Sequence, residues 1–246
     1  MSQHEMIDND KRLLFLLHIM KTGGTTLTDI VTGQYTNNVH FRGKGWSPQG
    51  ILDYKDQIEK ADTFCGHYWF GGHQYITGPF TYITMLRDPV EQVISWFYFR
   101  YRSPKYDHFA GNFSDYINSQ EYPYNYLTSN LQTRFICGDH TPDLETAKYN
   151  LQNFFSVAGL TERFDESIFL MKQTLGWKNT QYQKRNVNQK RPLKHQFPQF
   201  IIDQVEEKNA LDRQLYNYAS QKLDEQLQAL DPKAKRELEA FKHSQQ

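Results

Sequence analysis

The stretch from Leu13 to Leu27 limits most strongly what this chain can fold into. An apolar run over 13–19 ends abruptly at Lys21, Thr22, Gly23, Gly24, Thr25 and Thr26. Leu27, Ile30 and Val31 then recur at helical spacing, which predicts a helix over 26–35. A buried strand, a tight loop and a helix start in that order make an anion cradle. Backbone N–H groups and the positive end of the helix converge on one small space. Glycine lets the backbone approach closely, and Lys21 adds a full charge. The expected ligand bears a phosphate.

The same alternation continues along the chain. Strands are expected at 63–68, 80–86 and 154–160. Helices are expected at 52–61, from Asp88-Pro89 onward, from Thr161 to about Gly176, and at 200–230. Asp88 can cap its helix, Pro89 suits the first turn, and Glu91 stands where a capping box places it. Residues 36–50 read as loop, and 103–153 as loop-rich and partly helical. This order predicts one three-layer α/β/α domain around a central parallel sheet, a P-loop-like architecture, with 1–11 and 232–246 as peripheral tails. Ligands of such sheets bind at the carboxyl ends of the strands. The Lys21 loop and Arg87-Asp88-Pro89 both lie at such ends.

Charge narrows the partners. The chain has 28 basic and 28 acidic residues, which argues against coating nucleic acid or an anionic membrane. Its two cysteines, Cys65 and Cys137, cannot build a disulfide framework and have no metal-type cluster around them, so two reduced, buried thiols are expected. Met1 to Arg12 is polar, and the apolar run after it is far shorter than the roughly 20 residues of a membrane span. A cytoplasmic protein without signal peptide or membrane span is the expectation.

The loop departs from the usual nucleoside-triphosphate signature. There four residues separate a glycine from Gly-Lys-Ser/Thr; here Lys21 precedes the glycines. A kinase or related phosphotransferase, which would bind ATP with Mg²⁺, is thereby weakened. Lys21 to Thr26 after one strand, with Leu86-Arg87-Asp88-Pro89-Val90-Glu91 and Val93-Ile94-Ser95 after another, resembles the sulfotransferase superfamily. These enzymes use 3′-phosphoadenosine 5′-phosphosulfate (PAPS). Residues 18–26 and 82–90 most resemble carbohydrate sulfotransferases of the heparan sulfate 2-O- and 6-O- type. Asn130 to Arg134, Val157 to Glu162 and Asn186 to Asn188 look like further pieces, so the likeness runs from about 13 to 192.

The resemblance implies roles. Lys21 would stabilise the leaving 5′-phosphate, with Thr22, Gly23, Gly24, Thr25 and Thr26 as donors around it. Arg87 would clamp the 3′-phosphate, since a guanidinium fork matches phosphate oxygens, and Ser95 would add a hydroxyl. The acceptor hydroxyl needs a base, and His67, in Phe64-Cys65-Gly66-His67, occupies the place where the glycan enzymes carry theirs. His73 is the nearest rival; His18 reads as packed. Arg134 either orients the acceptor or pairs with a carboxylate. Tyr68, Trp69 and Phe70 are either a sugar-stacking platform or core.

Between Glu166 and Asp203 there is no acidic residue, while Lys172, Lys178, Lys184, Arg185, Lys190, Arg191 and Lys194 all fall there. The part from Lys184 to Pro192 resembles the family's loop over the nucleotide, which would give Lys184, Arg185 and Arg191 to the 3′-phosphate. A solvated basic face and a cleft for an anionic acceptor are the alternatives. The expected activity is in-line transfer of a sulfuryl group from PAPS, without metal, to a hydroxyl of a carbohydrate or glycoconjugate, with lipids and small metabolites also open. A non-catalytic nucleotide-binding module is the remaining alternative.

Overall fold

In the computed structural model, the residues described are 12–43, 45–102, 109, 111–183 and 191–245, apart from the side chains at 101 and 102. The chain runs β1 (Leu13–Leu17), α1 (Gly24–Gln34), β2 (Asn38–His40), α2 (Lys55–Ile58), β3 (Thr63–Gly66), β4 (Phe80–Leu86), α3 (Pro89–Arg102), α4 (Phe113–Asn118), α5 (Tyr124–Leu127), α6 (Leu131–Cys137), α7 (Leu144–Phe154), β5 (Phe155–Leu160), α8 (Phe164–Leu175), α9 (Gln199–Lys208), α10 (Ala210–Gln228) and α11 (Pro232–Ser244). The strands form a five-stranded sheet in the order β2-β3-β1-β4-β5. Every pair is parallel.

The apolar run from Leu13 forms the central strand. All five residues of β1 are buried, without alternation, as expected of a strand covered on both faces. Phe15 stacks on Tyr82 of β4 at 4.5 Å and 11°. The order of strands reverses at β1: β2 and β3 lie on one side, β4 and β5 on the other. Such a reversal opens a crevice at the strands' carboxyl ends, and the Lys21 loop leaves β1 there.

Four local expectations change. Residues 36–50 contain β2, which pairs with β3 through Asn38↔Thr63 and His40↔Cys65. The stretch 103–153 holds four helices among its described residues. The helix expected over 200–230 breaks at Asn209, whose side-chain amide donates to Thr128 O and Val205 O, both at 2.8 Å. In the expected tail 232–246, Pro232–Ser244 is a helix capped by Asp231. It packs against α8, with Leu238 buried, Phe241 6.0 Å from Phe169, and Lys242 3.2 Å from Glu166. Cys65 is buried as expected, whereas Cys137 is only half-buried; both are free.

Candidate active site

Four neighbouring strands deliver the site. His67 follows β3, Lys21 follows β1, Arg87 follows β4 and Thr161 follows β5. Residues far apart in sequence thus reach one edge of the sheet.

The loop after β1 is held by its carbonyls. Leu17 O accepts from Thr84 Oγ1 at 2.8 Å, and His18 O faces His67 Nδ1 at 2.5 Å. Ile19 O accepts from Thr22 Oγ1 at 2.9 Å, and Met20 O from Gln92 Nε2 at 2.9 Å. Lys21 O accepts from Arg87 Nη1 at 3.1 Å, and Thr22 O from Thr161 Oγ1 at 2.7 Å. Thus every carbonyl from Leu17 to Thr22 is taken by a side chain. Because N–H and C=O point oppositely in a peptide, the other face of the loop presents donors. The amides of residues 21–25 meet no acceptor among the described residues. The turn needs left-handed backbone at Lys21 (φ 65°) and Gly23 (φ 81°). Successive amides in such a turn form an anion-binding nest.

Cations crowd the open face. Lys21 is half-buried, with Nζ 4.0 Å above the Phe99 ring. Burial, then Arg87 and Arg191, push its ammonium down to about 8. Arg87 is lowered by burial and by Arg191, against the pull of Glu162 and Glu91. Its Nη2 is 3.4 Å from Glu91, and its Nε is 3.8 Å from Glu162, beyond hydrogen-bond distance. Arg191 also bonds Glu91. Arg87 Nε and Arg191 Nη1 are buried donors without a hydrogen-bond partner. Such orphans are costly unless a ligand completes them, so these residues fit a phosphate.

His67 is fixed through one ring nitrogen. With Nδ1–H donating to His18 O, its Nε2 is left bare. Burial lowers its pKa, partly offset by that hydrogen bond. The His18 ring lies 4.3 Å from the His67 ring, tilted 36°. Burial, His67 and Lys21 together hold His18 well below the usual imidazole range. A Cβ on Gly24 would stand 1.8 Å from His18 Cδ2, so the second glycine of the loop makes room for this ring.

Other expected site residues are less uniform. Thr22 is buried and its hydroxyl is spent within the loop, which removes it as a side-chain donor to a ligand. Thr25 is exposed, Thr26 is buried, and Ser95 is half-buried on α3. Tyr68 is 1 % exposed, with its hydroxyl bound to Phe64 O at 3.0 Å, so it belongs to the core rather than to an acceptor surface. Trp69 and Phe70 are buried too. His73 stands at the opposite, amino end of β4, stacked on Phe80 at 4.5 Å and bonded to Tyr82, away from the Lys21 loop. The rival base is therefore part of an aromatic cluster. Arg134 donates to His140 O at 2.7 Å and to the carbonyls of Tyr126 and Ser129, and lies 4.6 Å over the Tyr126 ring. Backbone carbonyls, not a carboxylate, hold it, on the wall of an open cleft of about 470 Å³ shared with Tyr122, His140 and Lys208. Lys184 and Arg185, and the likeness over Asn186 to Asn188, lie outside the described residues.

The residues that hold the site were less visible in the sequence. Gln92 and Gln132 lie inside the stretches that carry the likeness, and Thr161 near the end of one, but no role at the site attached to them. Glu91 looks like a capping-box residue, and Asp88 Oδ1 does accept its amide at 3.1 Å. Its carboxylate instead serves Arg87 and Arg191, while Glu162 takes the Asp88 amide at 3.1 Å. Thr161 and Glu162 carried two sequence signals, their place after an expected strand and the likeness over Val157 to Glu162.

No helix among the described residues is long and apolar enough to cross a membrane. No curated protein matches the chain. The sequence profile of the galactose-3-O-sulfotransferase family matches residues 59–246, well over half of the chain. This is a different carbohydrate sulfotransferase group from the heparan sulfate 2-O- and 6-O- enzymes that the motifs resemble. The resemblance assigns the quoted motifs to the sulfate donor rather than to the acceptor, so they do not separate one acceptor group from another. The match contains His67, Arg87 and Arg191 and begins after the Lys21 loop. With a parallel sheet whose strand ends gather these groups, the chain belongs to the galactose-3-O-sulfotransferase family and is a sulfotransferase that acts on carbohydrate.

Proposed function

We propose that the chain transfers the sulfuryl group of PAPS to a sugar hydroxyl by in-line displacement, with His67 as base and Lys21 at the leaving phosphate. The observation that carries this reading is the convergence of Lys21, Arg87 and Arg191, with two orphaned buried donors, on a loop whose carbonyls are all taken. The loop amides and Lys21 would hold the 5′-phosphate, and Arg87, Arg191 and Ser95 the 3′-phosphate. The donor supplies an activated sulfuryl group. His67 Nε2 accepts the hydroxyl proton as the oxygen–sulfur bond forms. Lys21 stabilises the charge left on phosphate as the bridging bond breaks. Positioning and fixed charge supply much of the rate, as in phosphoryl transfer. The family description points to the 3-hydroxyl of galactose as the acceptor to test first.

Calorimetry with 3′-phosphoadenosine 5′-phosphate, the desulfated product, tests the reading. It should bind without Mg²⁺ and more tightly than AMP. Equal affinity for AMP, or Mg²⁺-dependent ATP binding in its place, would overturn it. Turnover with PAPS and a galactose-terminated oligosaccharide tests the acceptor.

A further inference from the structure

Beyond Leu86 the ladder ends: the last β4–β5 pair is Leu86↔Leu160, and the last β1–β4 pair is Leu17↔Thr84. Arg87 has therefore lost its strand neighbours at the point where it must be aimed. One side chain replaces them. The Gln132 carboxamide accepts from Arg87 N at 2.9 Å and donates to Arg87 O at 2.8 Å. It satisfies both backbone groups of one residue, as a neighbouring strand would.

Gln132 is itself fixed. It is 1 % exposed, on the first turn of α6, and that helix lacks a side-chain cap from its own N-cap residue, Asn130. Asp212 of α10, also 1 % exposed, supplies the cap. Its carboxylate accepts from Gln132 N at 3.0 Å, Thr133 N at 2.7 Å and Thr133 Oγ1 at 2.6 Å. Asn130 returns the cap, its Oδ1 accepting from Leu211 N at 3.0 Å and Asp212 N at 3.2 Å. The two helix starts brace each other, and the brace ends on Arg87. A buried carboxylate with three short hydrogen bonds is a rigid anchor, since any rearrangement strands a charge away from water.

We propose that Gln132, anchored by Asp212, is the positioning residue that aims the Arg87 guanidinium at the donor's 3′-phosphate. This rests on the reading of Arg87 given above. A guanidinium fork discriminates phosphate only in a fixed orientation, and Gln132 supplies that orientation from the backbone side, without using any guanidinium donor, so that the unpartnered Nε stays available to the ligand. Gln132 touches neither donor nor acceptor in this role.

The test compares affinity for 3′-phosphoadenosine 5′-phosphate with affinity for AMP, by calorimetry on the full chain. In Gln132→Met, the bisphosphate should lose about tenfold while AMP changes by less than about threefold, the scale of one charge-assisted hydrogen bond. Asp212→Asn keeps shape but loses an acceptor; it should act in the same direction more weakly, and it serves if Gln132→Met does not fold. In an Arg87→Ala background, Gln132→Met should change the ratio no further. A parallel loss of both ligands, or an unchanged ratio, would make Gln132 a structural residue only and overturn the inference. If Arg87→Ala alone leaves the ratio unchanged, the reading of Arg87 fails and the inference with it. A ratio that collapses in Arg87→Ala but survives in Gln132→Met overturns the inference alone.

Discussion

The Arg87 guanidinium donates to the main-chain carbonyl of Lys21 across 3.1 Å, joining two motifs 66 residues apart. The contact makes the loop after β1 and the end of β4 one unit. A cation that faces the site also fixes the backbone carrying the next cation. The cost falls on Lys21, whose ammonium is lowered by burial first and then by Arg87 and Arg191, while Arg87 itself is lowered by burial and by Arg191. An anion between them relieves the repulsion.

Burial and that repulsion together set a pH dependence. Native Lys21 releases its proton near 8, whereas the unfolded chain keeps it to the ordinary value of 10.5. Between these values the unfolded state binds more protons, so stability rises with pH across that window. Lys21→Met lacks this slope. It should melt higher than the wild type at pH 7, and the gap should narrow above pH 8. A gap independent of pH, in melts from pH 6 to 10, would count against the placement of Lys21.

Ligand binding should reverse the shift. A bisphosphate beside Lys21 favours the ammonium, so binding near pH 8 takes up a proton. Calorimetry in two buffers of different ionisation enthalpy reads that uptake directly. Lys21→Met should show none.

His67 is held neutral by burial, below the ordinary 6.5, with Nδ1 tied to His18 O. The acid limb of kcat/KM should therefore fall below that value. His67→Gln should lower kcat by about 10²–10⁴-fold, the usual range for a lost general base, with bisphosphate affinity unchanged. Near-normal turnover in this variant would assign the base elsewhere, and His73, at the far end of the sheet, is badly placed to replace it.

Thr161 bonds both Thr22 O at 2.7 Å and Leu86 O at 3.0 Å. Thr161→Val leaves two carbonyls short of a donor and should cost about 1–3 kcal/mol. Unlike Gln132→Met, it should weaken AMP and the bisphosphate alike, because it loosens the loop that faces the 5′-phosphate. Thermal melts and the same pair of ligands check this.

Gly24→Ala places a methyl where the His18 ring lies. The ring must leave its position against His67, at a cost of about 1–3 kcal/mol for overpacking. Single-turnover rates should fall more than donor affinity. An unchanged rate would mean that the paired imidazoles do not matter to turnover.

The elements legible in the sequence were those encoded by near neighbours. β1 and its loop followed from an apolar run meeting Lys21 and two glycines, and β4 and the start of α3 from a β-rich run meeting Asp88-Pro89. Strand β2 was missed because three residues become a strand only beside β3. The break at Asn209 was missed because the side chain that makes it bonds Thr128, 81 residues away. Asp212, a carboxylate within the stretch expected as a helix, is buried where it caps α6, a role that no local pattern signals. Leu211, apolar and next to it in the chain, is only half-buried.

The candidate site divides along the same line. The sequence by itself determined which side chains are proposed to carry the chemistry: Lys21, His67 and Arg87 stand in short motifs, since an anion nest, a base and a guanidinium fork each need a particular residue type in a local setting. Only the tertiary structure decided how they are held. Gln92, Gln132, Thr161, Glu91 and Glu162 act through polar contacts, many with long-range partners, and a hydrogen bond of that kind leaves no periodicity or spacing in the chain. The fold supplies it, by bringing the carboxyl ends of four parallel strands to one edge.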